Sequence, residues 1–156
     1  MKRYACLLVL LLGSPVALAG GKVPYPDGYR HWTHVKSMVI LPGHPLADPF
    51  EGIHHVYANA KALEGLRSGR YADGSVLVFD LLETMRGAHA LTEGKRKLVG
   101  VMVRDARKYR DTGGWGFEGF AGDSHDKRLT HDGGRACFQC HQSQEARGYV
   151  FSQWRK

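Results

Sequence analysis

Cysteine is scarce in this 156-residue chain, and long apolar runs are scarcer. Only Cys6, Cys137 and Cys140 are present, which excludes a disulfide-rich scaffold. Beyond the first residues no apolar stretch is long enough to cross a bilayer, so no membrane association is expected of the mature protein. The formal net charge is +7, but no basic run is interleaved with aromatic residues. A solvated basic surface is therefore favoured over a nucleic-acid partner, and docking of an acidic redox partner stays open.

The first 19 residues have the pattern of a secretory signal peptide. Lys2 and Arg3 precede an apolar stretch at residues 4–12, and Ala-Leu-Ala at residues 17–19 forms a small-residue cleavage site. We therefore predict export to the periplasm and a mature chain of residues 20–156, which is long enough for one domain with a real core. Cys6 lies within the apolar stretch rather than after the cleavage site, which argues against a lipoprotein.

The two remaining cysteines belong to a C-x-x-C-H motif, Cys137-Phe138-Gln139-Cys140-His141. Two thiols at this spacing at the start of a helix can bond to both vinyl groups of one haem, and the following histidine can bind the iron as proximal ligand. A structural zinc site usually needs a second cysteine pair, which this chain lacks. A thioredoxin-like pair should follow an early strand, whereas this pair lies late in the sequence. We therefore predict one covalent haem c and no structural disulfide.

Apolar periodicity upstream of the motif predicts strands rather than long helices. The predicted strands are residues 33–41, 52–59, 75–83, 97–104, 113–122 and 149–154. The predicted helices are residues 26–32, 60–67, 105–109 and 134–146. This pattern predicts an α+β fold, a mainly antiparallel sheet with short helices and a C-terminal haem-bearing helix. It excludes a four-helix cytochrome, and the lack of methionine after His141 differs from small electron-transfer cytochromes c.

Several short landmarks accompany the motif in a definite order. They are Tyr29-Arg30-x-Trp32, Val56-Tyr57, Asp73-Gly74-Ser75-Val76, Val103-Arg104-Asp105-Ala106-Arg107, Gly113-Gly114-Trp115-Gly116-Phe117 and Tyr149-Val150-Phe151. Together with the haem motif, their order and spacing resemble the cytochrome P-460 family, including the cytochromes c′-beta, over nearly the whole mature chain. The resemblance implies a compact, mainly β fold, usually a homodimer, with five-coordinate haem c and an open distal side.

The resemblance also implies a choice between two functions. Members that oxidise hydroxylamine carry a lysine, cross-linked to the haem, on the strand after the Asp-Gly turn. Here the aligned position holds Phe79, and residues 73–81 contain no lysine. The c′-beta branch instead has distal phenylalanines and binds diatomic gases, and Phe50 aligns with a second such phenylalanine. The resemblance therefore favours binding of nitric oxide or carbon monoxide in an apolar distal pocket.

A distal phenylalanine has a direct chemical consequence. Water and anions would lose hydrogen bonds on entering, at about 1–3 kcal/mol for each unsatisfied polar group. Nitric oxide and carbon monoxide bind ferrous haem without a hydrogen-bond donor, whereas dioxygen gains from one, so distal polarity and access favour the first two gases. From strand periodicity alone, Phe79 would be an ordinary core residue.

Three alternatives stay open: oxidation of hydroxylamine or a related nitrogen oxide, weak peroxidase activity, and electron transfer. A methionine as sixth iron ligand would favour electron transfer; the candidates are Met38, Met85 and Met102. Glu118 and Asp123 are candidate distal acids. His54 and His55 are adjacent on a strand, so at most one of them can face the haem.

Overall fold

Five segments rich in β-branched and aromatic residues pair as one antiparallel sheet in the computed structural model, which describes residues 22–155. The strands are β1 (Thr33–Ile40), β2 (Gly52–Ala58), β3 (Val76–Gly87), β4 (Ala90–Arg104) and β5 (Trp115–Ala121). Their order in the sheet is their order in the chain, a simple meander. The α+β prediction is confirmed. The predicted signal peptide, residues 1–19, and Cys6 lie outside the described residues.

Short helices connect or flank the strands. The α-helices are α1 (Ala47–Phe50), α2 (Ala60–Ser68) and α3 (Arg135–His141), and 3-10 helices occupy Tyr29–His31, Arg110–Thr112 and Gln142–Arg147. Within residues 22–155, no helix is long and apolar enough to cross a lipid bilayer. The predicted helix at residues 105–109 is a turn that leads into the second 3-10 helix.

Helix α2 is tied to strand β3 through its N-cap. The Asn59 side-chain carbonyl accepts hydrogen bonds from the amides of Ala62, at 2.9 Å, and Val76, at 3.1 Å. Its amide nitrogen donates to the Gly74 carbonyl at 2.9 Å. The helix ends at Gly69, whose φ of 75° is the left-handed geometry that glycine adopts at low cost.

We expect Asn59→Ala to lower the free energy of unfolding by about 1 kcal/mol, the usual effect of losing an N-cap. Chemical denaturation followed by circular dichroism would measure the loss. Ser68→Ala, at the exposed end of the same helix, is the control and should have a smaller effect. An equal loss in both variants would contradict the capping role of Asn59.

The β3–β4 hairpin is longer than the sequence pattern predicts. The sequence pattern predicts strands at residues 75–83 and 97–104, but pairing continues to Gly87 and Ala90. Ala88 and His89 form the tip with φ of 48° and 58°, the double left-handed geometry of a tight hairpin turn. Most side chains near the tip are exposed, so the apolar alternation that identifies a half-buried strand is absent there.

The C-terminal segment also differs from its prediction. Residues 149–154 form no strand. The predicted helix at residues 134–146 is α3 followed by a 3-10 segment, with Gln144 outside helical geometry. After Gly148 the chain turns sharply, since Tyr149 has a φ of 68°. This turn buries Val150 against the sheet instead of extending a new strand along it.

The two faces of the sheet bury different apolar clusters. Directly paired residues of neighbouring antiparallel strands share a face. The face against which α2 and α3 pack, called the helix face here, carries a core of Val35, Val56, Ala58, Ala62, Leu66, Leu77, Met102, Trp115, Phe117 and Val150. The opposite face is covered by the segment before β1, and its core is Val23, Tyr29, Val78, Val99, Val101, Tyr109 and Phe120.

A buried carboxylate anchors β3 on the opposite face. Asp80 is fully buried; it accepts a hydrogen bond from the Tyr29 hydroxyl at 2.7 Å and pairs with the Arg96 guanidinium at 2.7 Å. Burial and this hydrogen bond raise the pKa of Tyr29 above its ordinary value. Because successive side chains of a strand point to opposite faces, anchoring Asp80 directs its neighbour Phe79 to the helix face.

Candidate functional site

The C-x-x-C-H motif lies on α3, and an upstream aspartate begins that helix. The N-cap position is Gly134, which has no side chain to cap with. The Asp132 side chain caps the helix instead, because its carboxylate accepts hydrogen bonds from the amides of Gly134 at 2.9 Å and Ala136 at 2.8 Å. These amides hold the pKa of the Asp132 carboxyl below its usual value. The free amides of the first turn are thus partly satisfied.

Helix α3 begins in direct contact with β5. A Cβ at Gly134 would lie 2.8 Å from the Phe117 Cβ and 2.7 Å from its carbonyl oxygen, so only glycine fits. Further along α3, the Phe138 ring lies 6.4 Å from that of Phe117 and 5.5 Å from that of Tyr149. These contacts hold the motif against the helix face.

The two cysteines of α3 are both free thiols in different surroundings. Cys137 is half-buried and packs against the helix-face core, whereas Cys140 is exposed. Burial raises the pKa of the Cys137 thiol. Residues three apart lie on the same side of a helix, so one group bound beside α3 can contact both sulfurs.

His141 ends α3 with a defined tautomer. Its Nδ1 lies 2.7 Å from the Tyr149 carbonyl oxygen, which can only accept, so Nδ1 carries the proton. The Nε2 lone pair is therefore free for a metal ion. Phe117 and Phe151 lie 4.9 and 5.0 Å from the imidazole, measured between ring centroids. Burial lowers the pKa of His141, which favours the neutral, metal-binding ring.

The segment that presents the Tyr149 carbonyl is held from two sides. The Trp115 indole N–H donates to the Gly148 carbonyl at 3.0 Å, and Val150 is buried in the helix-face core. No sequence pattern indicates that Tyr149 is the hydrogen-bond partner of His141. The only local signal is Gly148, which marks the turn.

The two phenylalanines singled out in the sequence come together on the helix face. Phe79 is half-buried and packs against the helix-face core. Phe50, at the end of α1, meets it edge to face with ring centroids 5.8 Å apart. These residues are distant in sequence, and the contact brings an aromatic pair to the face where α3 packs.

Next to Phe79 on the helix face, strands β4 and β5 each carry a glycine, which has no side chain. Phe79 pairs with Gly100 on β4, and Gly100 pairs with Gly119 on β5. A Cβ at Gly100 would lie 3.4 Å from the Phe79 Cβ, and one at Gly119 would lie 3.3 Å from Leu129. Glycine in a strand interior marks the close approach of a backbone or ligand. This glycine row, Gly100 and Gly119, adds no side chain of its own to the helix face beside Phe79, and Leu129 packs next to Gly119.

A buried histidine also borders the aromatic pair. His54 pairs with Met38 on β1 and Leu81 on β3, so it lies on the helix face. Its ring centroid is 4.5 Å from that of Phe79. Burial, with smaller contributions from Lys36 and His55, lowers the pKa of His54 to about 4. As the strand geometry predicts, His55 lies on the other face, where it contacts Ser37 and Glu93.

The candidate distal acids and the candidate methionine ligands lie in different parts of the fold. Glu118 is buried on the opposite face, bound to Arg128 and Thr130, and Asp123 pairs with Arg96 near Asp80. Interpreting these two as distal acids was therefore wrong. Among the methionines, Met85 is exposed on the hairpin and Met102 is core. Met38 is half-buried on the helix face.

The residues on the helix face fit a covalently held haem better than a bare metal ion. Within residues 22–155, no three histidine, cysteine or acidic side chains converge as a metal-ion site. The donor set is instead two thiols on one side of a short helix and one imidazole with a free Nε2. The glycine row adds no side chain of its own beside Phe79.

The comparisons with known proteins agree with this donor set. A family model described as Cytochrome P460 matches residues 26–152, which contain both phenylalanines, the glycine row and α3. No curated protein matches the chain at a significant level. The match covers most of the sequence, so the chain belongs to the cytochrome P460 family, and this membership indicates a haem c protein.

Proposed function

We propose that this protein holds one covalent haem c and binds nitric oxide or carbon monoxide beside Phe79 and Phe50, as the cytochromes c′-beta do. The observation that carries the proposal is the position of this aromatic pair, on the same sheet face against which the C-x-x-C-H helix packs. Haem in this site would supply ferrous iron with one coordination position available to a small gas.

Cys137 and Cys140 would attach the macrocycle. Each thiol would supply its sulfur to one vinyl group of the haem and its hydrogen to the other vinyl carbon, so the attachment would need no oxidant. Both cysteines are free and lie on one side of α3, as this addition requires. Covalent attachment would hold the group beside the helix face.

His141 would serve as the proximal ligand through Nε2. The Tyr149 carbonyl fixes the tautomer and makes the imidazole a stronger electron donor. Aromatic rings on two sides limit rotation of the imidazole. No bond from the ring to a carboxylate occurs among the described residues, so its basicity is moderate compared with a carboxylate-bound histidine.

Phe79 and Phe50 would restrict the distal side to small, weakly hydrated ligands. Neither ring offers a lone pair to iron, and water entering beside them would lose hydrogen bonds, at about 1–3 kcal/mol for each unsatisfied group. Strand β3 contains no lysine, so the cross-link of hydroxylamine-oxidising relatives cannot form there. Gas binding, for sequestration or sensing, is therefore the function that the site supports best.

Electron transfer is the competing function, and the position of Met38 supports it. Met38 lies half-buried on the helix face, paired with His54. If it ligated the iron, the coordination sphere would be complete and electron transfer would replace gas binding. The exposed position of Met85 and the core position of Met102 offer no similar support.

We also propose a periplasmic location and a homodimeric assembly. The location rests on the signal-peptide pattern of residues 1–19 and on the attachment of haem c outside the bacterial inner membrane. The dimer rests on the resemblance to cytochromes P-460 and c′-beta. A redox partner protein would be needed to return the iron to the ferrous state.

The ferrous absorption spectrum of the matured protein, recorded before and after nitric oxide or carbon monoxide is added, tests the proposal. We expect a high-spin c-type spectrum that changes with either gas. A low-spin spectrum that neither gas alters would mean a sixth protein ligand and would favour electron transfer. A strongly red-shifted Soret band would mean a modified haem and would favour hydroxylamine oxidation.

A further inference from the structure

His54 has a polar atom that nothing else in the described chain satisfies. The residue is 4% exposed, and its Nδ1 has no hydrogen-bond partner within residues 22–155. Leaving such a group unpaired costs about 1–3 kcal/mol, and folded proteins retain few of them. An unpaired buried atom of this kind needs a specific explanation.

The neighbours of His54 cannot provide the missing partner. Its cross-strand neighbours are Met38 and Leu81, and its nearest aromatic ring is Phe79. The methionine sulfur is a weak acceptor, and the other two side chains form no conventional hydrogen bond. None of these three neighbours therefore gives the His54 Nδ1 a strong hydrogen-bond partner.

Burial, followed by the neighbouring charges, lowers the pKa of His54 and keeps its ring neutral at neutral pH. Lys36, on β1, lies on the same face and disfavours a second positive charge, as does His55. Burial acts in the same direction and is the larger cause. A neutral imidazole has one N–H, which makes it a donor without the cost of a buried charge.

We propose that His54 is the distal hydrogen-bond donor of this site, directing its Nδ1–H toward the outer oxygen of a small carbon or nitrogen oxide. The inference rests on the proposed gas-binding function and refines it. The site is apolar around Phe79 and Phe50 but has the His54 imidazole at its border. A donor at this position would also stabilise bound dioxygen, so the preference for nitric oxide and carbon monoxide would then depend on steric access beside Phe79 and Phe50.

The strand supplies matched variants for the test. His54→Leu removes the donor, and His54→Gln restores an N–H in a side chain of similar size. His55→Gln changes the adjacent histidine, which lies on the other face, and serves as the control. All three are prepared as haem-loaded protein, with carbon monoxide as the probe.

The infrared C–O stretch of the ferrous carbon monoxide complex is the readout. We expect the stretch to move to higher frequency in His54→Leu, and to return toward the unsubstituted value in His54→Gln. The His55→Gln spectrum should match that of the unsubstituted protein. Carbon monoxide should dissociate about fivefold faster from His54→Leu, the equivalent of one neutral hydrogen bond.

Isotope exchange covers the case in which His54→Leu does not fold. In the unsubstituted protein, transfer from H₂O to D₂O should shift the C–O stretch, because the donated hydrogen exchanges. A stretch that responds neither to the substitution nor to D₂O would overturn the role of His54 and leave gas binding standing. A low-spin iron that becomes high-spin in His54→Leu would make His54 a ligand instead of a donor. Failure of both carbon monoxide and nitric oxide to bind the unsubstituted protein would overturn both proposals.

Discussion

Haem is expected to separate from the polypeptide on denaturation when Cys137 and Cys140 are both replaced by alanine. Cys137 and Cys140 are the two free cysteines of residues 22–155, so their thiols would form the thioether bonds of the proposed haem. His141 alone would hold the iron by a coordinate bond that breaks when α3 unfolds. Haem staining after denaturing electrophoresis, together with the intact mass, measures the loss, which should be complete.

The single variants and a neighbouring substitution make this prediction specific. Cys137→Ala and Cys140→Ala should each retain haem through the remaining thioether. Gln139→Ala changes an exposed residue between the cysteines and should retain haem fully. Haem that stays with the double variant after denaturation would show that another residue forms the covalent link.

Replacing Phe79 with alanine is expected to speed nitric oxide and carbon monoxide binding and to admit water to the distal side. Phe79 packs against Phe50 and His54, so a ligand entering beside it must displace the ring. Moving a side chain away from its preferred rotamer costs up to about 1.5 kcal/mol, and removing that barrier corresponds to about tenfold in association rate. Flash photolysis of the carbon monoxide complex measures the rate.

The adjacent residue on β3 supplies the control. Val78 is buried on the opposite face, so Val78→Ala should reduce stability without changing gas association. Phe79→Leu should give an intermediate rate because it retains part of the bulk. Association rates that are the same for Phe79→Ala and the unsubstituted protein would remove Phe79 from the distal side and leave it as a core residue.

Local sequence patterns were sufficient for much of this fold. Strand alternation located all five strands of the sheet, although it ended the β3–β4 hairpin too early. The pattern fails near the hairpin tip because both faces there meet solvent, so burial imposes no alternation. The pattern also predicts a strand at residues 149–154. There the chain turns instead, and Tyr149 and Val150 pack against the helix-face core.

The candidate site shows the same division between local and distant information. The C-x-x-C-H motif is local chemistry, so Cys137, Cys140 and His141 could be named from the sequence. Glu118 and Asp123 could not be assigned correctly, because their ion-pair partners are set by sheet register and by distant segments. Because His54 and His55 are adjacent on a strand, the sequence predicts that their side chains point to opposite faces of the sheet. Strand periodicity does not say which of the two faces the helices cover.

By itself, the sequence determined the attachment motif, the order of the strands and the absence of lysine from β3. Each of these is a property of neighbouring residues and needs no folded chain. Tertiary structure decided that the Tyr149 carbonyl orients His141, that Phe50 meets Phe79, and that His54 is buried with an unpaired nitrogen. These contacts join segments far apart in the chain. They depend on strand register and helix docking, which follow from the packing of the whole core rather than from any local pattern.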